Sequence, residues 1–124
     1  MSISGWMRDA ITIKREVVAQ DSEGVGVKTW TVEARGSSYP ATGVACRIQA
    51  LPPKDAHELG ISTDVRSWKI YFDAEPYIDK RDHVFLTDTD SVLYECDVVV
   101  SAFSFDSNQA RLWKCIVKKW ESWA

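Results

Sequence analysis

Paired cysteines, histidine clusters and long apolar runs are all missing from this chain, and each absence argues against a class of function. The cysteines, Cys46, Cys96 and Cys115, are odd in number and widely spaced. They form no disulfide framework and read as small buried hydrophobes. The two histidines, His57 and His83, have no Cys-x-x-Cys or His-x-x-x-His neighbour, which argues against a zinc site. No apolar stretch approaches the ~20 residues that cross a bilayer, and no membrane partner is expected. Residues 1–9 have neither the charged start nor the apolar stretch of a secretory leader, so a cytoplasmic origin is the default expectation. The six glycines and four prolines never combine into a phosphate-cradling loop. No serine lies in a nucleophile-elbow pattern. Asp88 and Asp90 are close in sequence, but they sit in a polar turn where solvated aspartates are ordinary. The expectation is therefore no catalytic residue, no metal ligand and no cofactor: not an enzyme.

What remains is enough for one domain. A chain of 124 residues with a 45% apolar fraction can bury a core without disulfides or metal. The net charge of −3 does not draw nucleic acid to the chain as a whole. The charge is polarised, however. Acidic residues dominate 79–106, and Arg111, Lys114, Lys118 and Lys119 follow. Solvated faces explain that in the ordinary way; the functional reading is two poles that dock onto different neighbours.

Period-two alternation dominates the chain, and with aromatic and β-branched residues it predicts half-buried strands. Residues 10–18 form the first, with Ile11, Ile13 and Val17 on one side. After a polar turn at 20–24, residues 25–33 form the second, and the two should pair as a hairpin. Residues 42–50 put Val44, Cys46, Ile48 and Ala50 on one face; residues 66–72 do the same with Trp68, Ile70 and Phe72. A short strand at 84–86, a less regular one at 92–101 continuing through Phe103 and Phe105, and a last one at 110–120 complete the set. In the last, Leu112, Lys114 and Ile116 face away from Trp113, Cys115 and Val117. Many short strands with polar turns predict an all-β fold. The expectation is a small single-domain β-barrel of about seven strands, with an arm at 1–9, the barrel at 10–120 and a tail at 121–124.

One connection breaks the rule of short turns. Residues 51–66 form an inserted loop, longer than the ~12 residues that compact domains usually tolerate without a functional reason. Within it, Pro53 suits the first turn of a short helix and Gly60 its stop. Its large apolar residues, Leu51, Leu59, Ile61 and Val65, look too few to offset the ordering cost, which predicts a mobile loop.

The order of these segments resembles a known family. An opening Ile11-Thr12-Ile13-Lys14-Arg15 strand leads to a turn with Asp21 and Gly24, then Thr29-Trp30-Thr31, then Cys46-Arg47-Ile48. A loop with Glu58 follows, then Trp68-Lys69-Ile70-Tyr71-Phe72, the 78–84 segment and Leu112-Trp113-Lys114-Cys115. This resembles the head–tail joining, or head-closure, proteins of long-tailed bacteriophages over roughly residues 10–119. The longer 34–43 loop and the tryptophan-rich end depart from the short members. The resemblance implies a virion protein at the head–tail interface, assembled as a sixfold or twelvefold homo-oligomeric ring. It implies portal and adaptor neighbours on the head side, and a tail terminator or tube protein on the tail side. Genomic DNA would pass through the channel without sequence-specific binding, helped by acidic residues that repel phosphate. The matching loop assigns Lys54, Asp55, His57, Glu58 and Leu59 to the channel or subunit interface. Aromatic and basic anchors at both ends, Trp6, Met7, Lys118, Lys119, Trp120 and Trp123, are expected to dock neighbours. The alternatives are a tail-completion ring, a small enzyme with its site across the barrel, or an oligonucleotide-binding barrel using Trp113, Lys114, Lys118, Lys119 and Trp120.

Overall fold

The computed structural model describes residues 8–20, 24, 26–36, 39–62, 65–88, 91–106 and 111–120. Its strands are β1 (Asp9–Gln20), β2 (Gly26–Thr31), β3 (Val44–Ala50), β4 (Ser67–Phe72), β5 (Asp82–Thr87), β6 (Leu93–Asp106) and β7 (Arg111–Lys119). A 3-10 turn lies at Glu33–Arg35, and one short helix, α1, at Pro53–Glu58. All strand pairs are antiparallel, in the order β2-β1-β3-β4-β7-β6-β5, and β5 returns to pair β1. The result is the expected β-barrel: six strands close, and β2 is appended to β1.

Closure follows from the alternation. Ile11, Ile13, Cys46, Trp68, Ile70, Phe72, Val84, Leu86, Cys96, Cys115 and Val117 all point inward and are at most 2% exposed. The strands of the closed barrel contribute alternate residues, as the pleat requires. Each fully buried large side chain contributes roughly 1.5–3 kcal/mol of transfer free energy. β6 is the exception to clean alternation. Its register against β7 shifts between Val98 and Val100 and again between Val100 and Phe103. These bulges turn Val99 and Val100 to the outer wall, while Ala102 packs on the core again.

Strand boundaries differ from the sequence reading: β1 runs on to Gln20 and β5 covers Asp82–Thr87 rather than 84–86, and two further differences have a visible cause. The second strand stops at Thr31 rather than 33, because Thr31 Oγ1 accepts the Ala34 N–H at 3.2 Å and the chain enters the 3-10 turn. Asp9 belongs to β1 rather than to an arm: it pairs with Cys46, and its Oδ2 accepts the Ile48 N–H at 2.9 Å.

The registers also sort the connections between the two ends of the barrel. Ser67 lies opposite Lys118, Cys96 opposite Lys119, Thr87 opposite Leu93, and Asp9 opposite Cys46. The 51–66 loop, the 88–92 turn, Arg8 and Trp120 are therefore at one end. The 32–43 and 73–81 connections and the β6–β7 hairpin are at the other.

Candidate functional site

The inserted loop is built by local rules and seated by distant ones. Pro53 opens α1, where its missing N–H costs nothing. Gly60 closes it with φ +74°. The Gly60 N–H reaches His57 O at 3.0 Å and the Ile61 N–H reaches Ala56 O at 2.9 Å, the paired bonds of a Schellman stop. Ile61 and Ala56, which that stop brings together, pack with Leu51 on Ile116, beside Val65, Val99 and Val100. This corrects the expectation of a loop too poor in apolar residues to settle. Ile116 points outward from β7, and the bulges supply Val99 and Val100, so the loop lies against the outer wall of the barrel.

The exposed ridge of the loop is then well defined. Lys54, His57, Glu58 and Leu59 are exposed and Asp55 is half-buried. A cleft of about 220 Å³ separates the loop from the barrel end, with Leu51, Pro53, Ala56, Val65 and Trp68 on its walls. At its floor Trp68 Nε1 donates to Asp88 Oδ2 at 3.0 Å. The Arg66 guanidinium donates to Asp88 and to the Tyr94 hydroxyl.

The expected docking residues near the C-terminal end are only partly free. Lys118 and Lys119 belong to β7, opposite Asp97 and Cys96, and the Lys119 N–H donates to Arg66 O at 2.8 Å. The Trp120 N–H donates to Glu95 O at 2.9 Å. Its ring lies 5.1 Å from His83 and 5.5 Å from Trp30, and Trp30 stacks on His83 at 4.0 Å and 12°. His83 Nε2 is 3.0 Å from Asp97 Oδ1, and Nδ1 is 3.6 Å from Glu95 Oε2, too long for a hydrogen bond. So Lys118, Lys119 and Trp120 are part of the fold rather than a loose clip. Trp6, Met7 and Trp123 lie outside the described residues. The five residues of the oligonucleotide-binding alternative do not share a face either. Trp113 packs toward the core, while Lys114 points outward, 5.7 Å from the centre of the Tyr71 ring.

Sequence reasoning missed a buried charge network at the opposite end. The side chains of Arg35 and Asp82 are both 0% exposed, with Nη1 2.9 Å from Oδ2. Arg35 also donates to Pro40 O at 2.9 Å and Pro76 O at 2.7 Å. Arg15 Nε reaches Asp82 Oδ1 at 2.9 Å. Burial lowers the Arg35 pKa against the pull of Asp82. The hydrogen bond to Asp82 raises that of Arg15, and hydrogen bonding from Arg81 lowers that of Asp79. Arg15 and Arg35 converge on Tyr77 O, each at 3.4 Å. Tyr77 itself has φ +56°, a conformation disfavoured for any residue but glycine. Its ring lies 4.8 Å from that of Tyr39, and both are exposed. Nothing local marks Arg35 as buried; a lone arginine beside a glycine is ordinary loop chemistry. Internal partners of this kind change the meaning of the acidic run. Asp79, Asp82, Asp88 and Asp97 hold internal partners and are not a free solvated face.

Among the described residues, no group of three His, Cys, Asp or Glu side chains is placed to hold a metal ion. The three thiols are buried in the barrel; burial pushes the Cys46 pKa up to about 12 and raises those of Cys96 and Cys115 as well. These thiols are core, not nucleophiles.

No protein-family model matches the chain, and no curated protein matches it. Among solved structures it is similar to the solution structure of protein SF1141 from Shigella flexneri 2a, a structural genomics consortium target. That likeness has a TM-score of 0.63 over 96% of both chains, at 17% sequence identity. At that identity the likeness is one of fold: the same kind of barrel, carrying no statement about activity.

Proposed function

We propose that this protein is a structural subunit of the neck of a long-tailed bacteriophage, forming a ring that closes the filled head and receives the tail. The order of strands and the inserted loop support this, as does the small closed barrel. The observation that carries it is the placement of exposed apolar side chains at both ends. Leu59, Val92 and Leu93 are 39%, 48% and 66% exposed at the loop end. Tyr39, Tyr77 and Phe103 are 41%, 46% and 44% exposed at the other. A subunit stacked between two different neighbours needs a docking surface at each pole, and aromatic anchors suit such surfaces.

In this reading the seated loop presents Lys54, His57, Glu58 and Leu59 at its end of the barrel, toward the channel or the next subunit of the ring. The Arg35–Asp82 network holds the Tyr39–Tyr77 pair rigid, so little ordering cost falls on docking. DNA passes through the ring without base-specific contacts. The test is electron microscopy of the protein mixed with portal–adaptor assemblies of its phage. A ring of new density beneath the adaptor is the expected result. Density on the tail end instead would assign the tail-completion role, and no binding to either would refute the proposal.

A further inference from the structure

We infer that the free protein pairs with a second copy of itself through β2, edge to edge and antiparallel, so that one sheet continues into the next. Among the described residues, β2 is the strand that is paired on one side along its whole length. It meets only β1, from Gly26 opposite Gln20 to Thr31 opposite Arg15. Each other strand has a neighbour on both sides. Barrel closure cannot cover the outer edge of β2, because β5 already completes the circle through β1.

An open edge presents unpaired N–H and C=O groups, and proteins defend such edges with proline, bulges, inward charges or cover. An edge lysine is a defence too, and β2 has Lys28; among the described residues it carries none of the others. Its sequence, Gly26-Val27-Lys28-Thr29-Trp30-Thr31, has no proline, and its six pairs with β1 run without a register shift. Its one charge, Lys28, is 3.7 Å from Glu16. Valine, threonine and tryptophan favour a pleated strand. Trp30 is fixed by its stack on His83 and by Trp120, so the edge is held rigid before it meets a partner.

The residues also select an occupant and a register. An edge that meets its own copy across a twofold axis is self-complementary. With Lys28 on that axis, two ammonium groups would face each other, which is unfavourable. With Trp30 on the axis, two indoles already stacked on their own histidines would collide. Thr29 on the axis avoids both. It sets Thr29 against the partner's Thr29, a favourable cross-strand pair, and Lys28 against the partner's Trp30. His83 stacks on that indole and Trp120 lies tilted beside it; the half-buried ring would take the lysine in a cation–π contact. The contact is isologous and closes at two. It rests on the open edge alone, not on the ring proposed above, whose contacts run head to tail.

The test uses the full-length protein. Cys46, Cys96 and Cys115 are 0% exposed and stay silent toward oxidised glutathione. In the Thr29→Cys variant the axis pair would have its Cα atoms about 4.5–5.5 Å apart, inside the disulfide range of about 4.4–6.8 Å. A covalent dimer should form with Thr29→Cys and not with Lys28→Cys, whose copies lie offset along the strands. In sedimentation, the unaltered protein should show a concentration-dependent dimer. Thr29→Lys, which places like charges on the axis, should weaken that dimer at least tenfold. Absence of the Thr29→Cys crosslink overturns the inference. So does equal crosslinking by Lys28→Cys, a dimer indifferent to Thr29→Lys, or an unaltered protein that stays monomeric at every concentration.

Discussion

Removing Asp82 and Arg35 together should cost much less than the sum of removing each alone. The side chains of both are 0% exposed, and Asp82 is the carboxylate between two guanidiniums, those of Arg35 and Arg15. Asp82→Ala leaves the buried Arg35 charge uncompensated, a loss of about 3–5 kcal/mol. It also removes the acceptor of the Asp79 N–H, 3.0 Å away. Arg35→Met is different. Asp82 keeps Arg15, but Pro40 O and Pro76 O lose their donor, at about 1–3 kcal/mol for each acceptor left buried. In the double variant the uncompensated charge is gone, and that relief offsets the two orphaned carbonyls, so the double loss should fall well below the sum of the single losses. Urea melts followed by circular dichroism measure all four corners of the cycle. Against a total of about 5–15 kcal/mol for a domain, Asp82→Ala alone should remain folded but be visibly weakened. If the two single losses add to within about 0.5 kcal/mol, the pair is not coupled and the argument fails.

Trp68→Ala should cost about 3–5 kcal/mol, since Trp68 is 1% exposed in the barrel core; a urea-melt loss below about 1 kcal/mol would contradict that burial. The loop should resist trypsin at Lys54 in the native protein, and Ile116→Asp should expose it by breaking the seat formed with Leu51, Ala56 and Ile61. Equal cleavage rates in both proteins would mean that the loop is not seated. The Cys46 thiol is raised from 9.0 to about 12 by burial. The folded state therefore keeps a proton that the unfolded chain gives up, and alkali favours unfolding across that window, by about 1.4 kcal/mol per pH unit. Cys46→Ala should flatten the fall of stability with pH between 9 and 12 by that amount, read from urea melts at each pH; an unchanged slope would place the thiol in contact with solvent.

Several features of this molecule were legible from neighbouring residues alone. The inward faces of β4 and β7 follow from the pleat, which sends Trp68, Ile70 and Phe72 one way and Lys69 and Tyr71 the other. The start and stop of α1 follow from the fixed φ of Pro53 and the positive φ open to Gly60. The uneven pattern around residues 92–101 was visible too, and its cause is the pair of bulges in β6.

Tertiary structure decided what covers the outside of the barrel. Period-two logic marks Ile116 as outward but cannot say that Ala56 and Ile61 will lie on it, nor that Val99 and Val100 will turn to meet them. The loop therefore looked too poor in apolar residues to settle, because its partners lie some 40–60 positions away. Arg35 and His83 were hidden for the same reason. One is buried by carbonyls from 40 and 76 and a carboxylate at 82, the other by rings from 30 and 120. Alternation and turn chemistry act between residues a few positions apart, so they are written in the order of the chain. Burial of a charge or a ring on the outer wall depends on which strands closure brings side by side, and that is set only when β5 meets β1.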